Sequence, residues 1–478
     1  MQAWDATDFD ERLLADDPQA PTVSSVVFDD VTLSLARRAA RFPDRTAVVD
    51  ISEDRRYAPP ETIHENRVSY AELSELADRT AARLASVGID AGDTVCLLTR
   101  NRIASLALLF ACRRLGATLA PISHLLTPVT VERPFDALEP SLVLAEPAQR
   151  DLVRSIPFDR SMTLEALSDI DPADVDATDT DAADADPADG NRPQSENAGN
   201  NRQRPKPDSD DRHRPLLALH GEGGRPVAAF SERTLEWNCI TAVVTWGLRR
   251  NDVSPVVSPL ATATGLVRNA LSLLYVGGRL LLDRAFDPGD TLTAMAEEDA
   301  TLLVGRKPAF RDLAADSSFD DATRSLERAV PDQSVTADLL DPYHERGVTV
   351  TRAYGRLECP AALCQPEPNG VDPRLTPDDG VAVGVPVPDC RVRVVDEDGD
   401  VLEGPGTGRL QVSGPVVADG YVNAAGFADD DGGENEATSD RTVKPDDVGF
   451  AGGGRFVDGW FDTEEWVRRD GDGGFVLE

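Results

Sequence analysis

Three closely spaced glycines after an apolar strand are the residues whose type and spacing best suit chemistry. Leu216 to Phe230 reads as a short strand (Leu216 to Leu219), a turn carrying Gly221, Gly223 and Gly224, then Pro226 and a second apolar run. Lacking a Cβ, such glycines let backbone N–H groups converge on an anion, so a phosphate cradle is one reading. A tight turn between two strands is the other. A working cradle adds a lysine and hydroxyls, which this turn lacks, and Glu222 puts a negative charge inside it. His220 reads as a strand-end histidine satisfied by its neighbours rather than as a catalytic group.

The elements that must position this turn alternate strand and helix. Thr46 to Asp50 reads as a strand. Ser69 and Glu72 form a capping box ahead of Leu73, Leu76, Ala77, Ala81 and Leu84 on one helical face. Strands at Thr94 to Leu98, Thr118 to Ile122 and Leu142 to Ala145, with a helix from Ile103 to Leu115, indicate parallel βαβ units. After the glycine turn come a helix (Leu235 to Leu248), a strand (Pro255 to Pro259), a helix (Leu266 to Tyr275) and a strand (Arg279 to Leu282). Thr291 to Glu298, Thr301 to Val304 and Pro308 to Ala314 repeat the cycle. Near residue 380 the pattern turns to β hairpins, with Cys390 to Val395 and Gly408 to Ser413 around the turn Asp396 to Asp400. Trp460 and Phe461 read as β core.

Length and composition bound the class. The 478 residues carry a net charge of −37 and only three lysines, Lys206, Lys307 and Lys444. Such self-repulsion destabilises a compact chain unless salt screens it, and at molar salt the Debye length is about 3 Å. A salt-rich cytoplasm is therefore expected, and the missing basic footprint argues against a nucleic-acid partner. The six cysteines form no C-x-x-C pair, which favours free thiols in a reducing cytosol. Arg113 and Arg114 interrupt the most apolar region, so no membrane span is expected, and the acidic N-terminus is unlike a signal peptide. Residues 168–214 and about 424–454 lack apolar periodicity and are expected to be disordered or loosely packed insertions.

The order of these segments resembles the large N-terminal domain of the adenylate-forming enzymes, specifically AMP-forming acyl-CoA synthetases. "FPDRTAVVD" at 42–50 and "VSYAELSELADRTAARLASVGIDAGDTVCLL" at 68–98 resemble the family's opening. "GGRLLLDRAFDPGDTL" at 277–292 resembles the segment after its central helix. Tyr354-Gly-Arg-Leu-Glu358 matches Y-G-x-T-E at three positions, and 384–423 follows the family through G-x-P, a strand and G-Y. The resemblance implies an α/β fold of two subdomains with helix-flanked sheets plus a small distorted β-barrel. The plan is an acidic lead-in at 1–30, a first α/β subdomain at 31–167, the insertion at 168–214, a second α/β subdomain at 215–379 and a β-rich part at 380–478. It also implies activation of a fatty or other carboxylic acid with Mg-ATP to an acyl-adenylate, then transfer to coenzyme A.

Matched residue by residue, the family's phosphate loop T-S-G-T-T-G-x-P-K-G falls on Leu219 to Ala228. Its hydroxyls are gone and its lysine is Val227, while Arg225 holds the variable position and is expected to face solvent. Thr262 stands where the family has the histidine of P-x-F-H-x-x-G, with Gly265 closing the motif in the substrate cleft. Val330 to Ser334 replaces the glycine-rich segment that packs on adenine. By resemblance Tyr354 stacks on adenine beside Gly355, Glu358 takes Mg²⁺ through a hard oxygen, and Glu465 in Thr463-Glu464-Glu465 replaces the ribose-binding aspartate. Gly221, Gly223, Gly224 and Arg225 remain as the nucleotide contacts. The family continues beyond the position of Glu478 into a lid carrying the catalytic lysine, so none is expected in this sequence.

Three functions follow as expectations: a ligase of this family with impaired adenylation, an active ligase whose lid comes from another polypeptide, or a non-catalytic acyl-binding or scaffold protein.

Overall fold

The computed structural model describes residues 33–52, 67–156, 158, 160–171, 214–365, 380–422, 442–443, 449–450 and 454–478. The parallel units arise where uninterrupted apolar runs are covered on both faces. Thr94–Thr99 is buried at every position and pairs in parallel with Thr118–Ser123 and Leu142–Ala145. Thr118–Ser123 then pairs in parallel with Pro215–His220, which turns back antiparallel into Val227–Ser231. Gly420–Val422 and Thr442–Val443 complete one end of this eight-stranded sheet, and Ser161–Thr163 the other.

A second sheet runs Arg67–Ser69, Thr46–Asp50, Arg279–Leu282, Val253–Pro255. A parallel bridge from Val256 to Val304 ties it to a third, all-parallel sheet of Leu302–Gly305, Arg328–Pro331 and Thr349–Val350. Between these sheets and their helices lies a core that includes Leu281, Leu303, Phe310 and Tyr343. Antiparallel strands from Ala353–Tyr354 to Phe475–Leu477 make the β-rich part. The sheets do not follow sequence ranges. Strands before residue 167 pair directly with strands from 215–282, and Gly420–Val422 joins the eight-stranded sheet.

The capping box forms as the spacing requires. Glu72 N–H donates to Ser69 Oγ at 3.2 Å, and Ser69 N–H to Glu72 Oε2 at 2.7 Å. All five residues of the expected apolar face are buried along the helix Tyr70–Ser86. Tyr70 donates its hydroxyl to Gly278 O at 2.7 Å, pinning this helix to the turn that precedes the strand Arg279–Leu282.

Some expectations are corrected. The strand expected at Pro255 to Pro259 is Val253–Pro255; Pro255 and Pro259 have no N–H to extend a ladder. The helix expected at Leu266 to Tyr275 begins as a π-helix, Ala263–Leu271, and becomes α-helical only at Ser272–Val276. Ser272 Oγ donates to Val267 O five residues back at 2.9 Å, and Asn269 donates to Pro255 O at 3.0 Å, both drawing on the widened turn. The lead-in 1–30 and residues 172–213 of the first expected insertion lie outside the described residues. So does most of 424–454, but Thr442–Val443 and Gly449–Phe450 within it are paired strands rather than loose chain.

All six cysteines are buried and free. Among the described residues no helix is long and apolar enough to cross a membrane, and no His, Cys, Asp and Glu cluster is arranged to hold a metal.

Candidate active site

The glycine turn joins two antiparallel strands in the register His220 to Val227. Gly221 N–H donates to Pro226 O at 2.8 Å and Gly224 N–H to Gly221 O at 2.9 Å, so these two amides are spent inside the turn. Gly224 has φ +89°, and a Cβ there would press on Thr130 O and Pro134 Cδ. The glycines thus serve the turn and its packing against the helix Glu132–Leu138. Val227 is buried among Leu126, Val131, Phe135 and Ala218. His220 Nδ1 donates to Gly221 O at 2.7 Å, and Nε2 accepts from Ser123 N–H at 3.0 Å. Burial lowers its pKa, with the Gly221 bond opposing, and both nitrogens are occupied as a neutral imidazole requires.

The charges of the turn are paired elsewhere. Arg225 donates to Asp136 at 2.8 Å and does not line the neighbouring cavity. Glu222 accepts from Arg306 Nη1 at 2.7 Å, and Arg306 Nε donates to Asp332 at 3.2 Å. Arg306 caps the start of the helix Lys307–Ala314 by position, where the sequence expects an entry.

Next to the turn lies a cavity of about 440 Å³. His220, Gly221 and Glu222 form one wall; Thr262, Thr264 and Arg268 of the central helix form another; Asp332, Gln333, Gly355 and Arg356 a third. Thr262 caps that helix, donating to Pro259 O at 2.7 Å and accepting from Gly265 N–H at 3.1 Å. Gly265 lies outside the cavity lining, and the Pro259 and Ser258 carbonyls leave no room for a Cβ.

Tyr354 and Glu358 are placed otherwise than the resemblance implies. Tyr354 is 1% exposed, does not line the cavity, and donates its hydroxyl to Glu465 Oε2 at 2.5 Å. Its strand, Ala353–Tyr354, pairs with Leu363–Cys364, and the buried ring is not part of the cavity lining. Arg356 Nη1 donates to Glu465 Oε1 at 2.7 Å, so Glu465 has both carboxylate oxygens engaged. Glu358 is 1% exposed and accepts from the Tyr421 hydroxyl at 2.7 Å. Burial raises its pKa to about 7 against the Tyr421 bond and Arg356. A buried carboxyl of this kind presents no open oxygen to a hard cation. Gly355 does line the cavity; its carbonyl accepts from Gln333 Nε2 at 3.1 Å.

These residues fit a triphosphate and Mg²⁺ poorly. The turn's Gly221 and Gly224 amides are used, its lysine position is apolar and buried, and the two acids Glu358 and Glu465 are bound to side chains. The sequence reading missed Arg268 and Arg306 as cavity residues and named Asp332 only as part of Val330 to Ser334. Two of them carried a legible signal: Arg268 interrupts the apolar run Leu266 to Leu274, and Arg306 follows a buried strand directly.

Helix-flanked parallel sheets with a cleft between a glycine turn and a Tyr-Gly segment define the large domain of an adenylate-forming enzyme. The chain belongs to the AMP-binding enzyme family, whose sequence model matches residues 35–422. It is an acyl- or aryl-CoA ligase relative of AMP-forming type. It is similar to a feruloyl-CoA synthase of Amycolatopsis sp, 28% identical over 85% of this chain and 72% of that protein. It is 27% identical to an indoleacetate–CoA ligase of Aromatoleum aromaticum, over 86% of this chain and 72% of that one. The N-terminal domain of FACL13 from Mycobacterium tuberculosis superposes with a TM-score of 0.69 at 16% identity, covering 93% of this chain and 98% of that one. ATP-bound MatB from Rhodopseudomonas palustris gives 0.67 at 22% identity over 94% of this chain and 78% of that one.

Proposed function

We propose that this chain is an AMP-forming acid–thiol ligase in lineage whose cleft holds a carboxylic acid but adenylates it poorly. The observation that carries this reading is the turn itself. Its Gly221 and Gly224 amides close the turn on itself, and Val227, at the position where its relatives' motif has a lysine, packs in the core. Catalysis of phosphoryl and adenylyl transfer rests on preorganised positive charge around the phosphates, and here Arg306 supplies it only while neutralised by Glu222 and Asp332. In this reading the acid lies on the side of the central helix, where Thr262 and Arg268 line the cavity.

The test is calorimetric titration of the full chain in molar KCl with Mg-ATP, with AMP and with carboxylic acids, alongside pyrophosphate release. Acids are expected to bind, and Mg-ATP to bind weakly with slow pyrophosphate release. Micromolar Mg-ATP binding with rapid release would overturn the reading.

A further inference from the structure

A second cavity, of about 440 Å³, opens between the start of the helix Glu232–Trp246 and the β-rich strands. It shares no lining residue with the cleft beside the glycine turn. Arg233, in the first turn of that helix, and Arg391, which opens the strand Arg391–Val395, both line it. Both arginines are exposed. Arg391 donates from Nη2 to Ser413 Oγ at 3.0 Å and lies over the Trp460 ring, 5.7 Å from its centre. Among the described residues neither arginine pairs with a carboxylate. The one acid among the described lining residues, Asp419, is committed to the helix start. Its carboxylate accepts from Ser231 N–H at 2.5 Å, from Ser231 Oγ at 3.2 Å and from Thr234 Oγ1 at 3.0 Å. The chain has 85 acidic residues against 48 lysines and arginines, so a partner carboxylate is easily supplied, yet none is placed here. Half-buried Pro415, Val417 and Val457 add an apolar wall to the same cavity.

We propose that this second cavity binds a small phosphate monoester carrying an apolar body, with Arg233 and Arg391 holding the phosphate. The head group follows from the donors. A carboxylate's two oxygens are filled by one guanidinium fork, whereas a phosphate's three terminal oxygens accept from two. A monoester's charge, about −1.5 to −2 at neutral pH, also balances two guanidinium groups. The body follows from the space. Exposed ion pairs add little on their own, so the apolar wall supplies the rest of the affinity. Inorganic phosphate would leave that wall, and most of the volume, to water. A ligand-sized concavity with a few placed polar groups on apolar walls is the usual form of a small-molecule site.

The experiment is calorimetric titration of the full chain in molar KCl with phenyl phosphate and with inorganic phosphate. It is repeated on Arg233→Gln and Arg391→Gln, and on Arg306→Gln, which alters the cleft beside the glycine turn instead. Circular dichroism checks the fold of each variant. Wild type is expected to bind one phenyl phosphate per chain, at least about tenfold tighter than inorganic phosphate. Arg233→Gln and Arg391→Gln are each expected to weaken phenyl phosphate about tenfold, and Arg306→Gln to leave it unchanged. Failure of wild type to bind phenyl phosphate overturns the proposal, as does equal binding of the two phosphates. Binding that falls in Arg306→Gln but survives in Arg391→Gln puts the ligand in the other cleft and overturns it as well. Should a variant fail to fold, the wild-type comparison of the two phosphates still decides.

Discussion

Arg306 donates from Nη1 to Glu222 at 2.7 Å, linking the end of a parallel strand to the glycine turn. The Glu222 side chain is 81% exposed, so solvent screens the pair and it adds little to stability. Its effect is on ligands, because it holds the cavity's outer arginine away from any phosphate. Glu222→Thr is expected to raise Mg-ATP affinity about tenfold in molar KCl, roughly 1.4 kcal/mol, with an unchanged unfolding midpoint. Calorimetry on wild type and variant checks this, and an unchanged affinity would show that Arg306 does not reach the phosphates. Restoring the lysine is a different matter. Val227→Lys places an ammonium among Leu126, Val131 and Phe135 and is expected to cost about 3 kcal/mol of stability.

Glu358 makes stability depend on pH in an unusual sense. Its ordinary value is 4.5, and burial raises it to about 7 in the folded chain against the Tyr421 bond and Arg356, with Glu465 adding to the rise. As pH rises past 4.5 the unfolded chain releases this proton, whereas the folded chain keeps it until about 7. This group's contribution therefore falls between those values and is level above them. Glu358→Gln keeps an acceptor for Tyr421 and removes the titration. It is expected to be more stable than wild type by about 3 kcal/mol at pH 8, with no advantage at pH 4. Denaturant unfolding at both pH values in high salt measures the difference; an equal gain at both would assign it to packing.

Glu464 has φ +59°, in the left-handed region that costs an ordinary residue about 1–2 kcal/mol. Its side chain has no role in the cavity. Glu464→Gly relieves the strain at some cost in unfolded-chain entropy and is expected to stabilise by about 0.5–1 kcal/mol. A denaturant midpoint that falls would mean that the Glu464 side chain contributes more than its backbone costs.

Gly355 admits no larger residue. A Cβ would collide with Pro360 O and Arg268 Nη2. Gly355→Ala is expected to lose about 2–3 kcal/mol of stability through overpacking and to disturb acid binding by moving Arg268. Thermal unfolding with and without a carboxylic acid reads both effects, and an unperturbed variant would mean that the wall between Gly355 and Pro360 yields easily.

What the sequence made legible was local. The capping box at Ser69 and Glu72, the buried parallel strands and the hairpin around Gly221 follow from spacing and turn chemistry, and the structure realises each. Phe461 is core as expected, but Trp460, expected there too, is half-buried beneath Arg391 and Arg393, with the Arg393 guanidinium 4.3 Å from the ring centre. Partners distant along the chain were not legible. Nothing in Tyr354-Gly-Arg-Leu-Glu358 says that its tyrosine and arginine will close on Glu465 or its glutamate on Tyr421. Motif matching placed these residues near a nucleotide because it compares positions, whereas their availability depends on bonds made by other segments. Arg268 stood out as an interruption of an apolar run, but its bond to the Pro360 carbonyl, ninety-two residues away, was not legible.

The strand Thr46–Asp50 has Arg279–Leu282 as its parallel neighbour, and Val227–Ser231 receives Gly420–Val422 along its edge. On a ribosome the early strands therefore emerge long before the segments that hydrogen-bond to them. Until then their edges are exposed templates for other nascent chains. Interlaced pairings of this kind also delay the transition state, because long loops must close before any contact rewards them. Expression of the first third alone is thus expected to give aggregates rather than a small folded domain, and cuts made between the sheets' partners to yield no autonomous half.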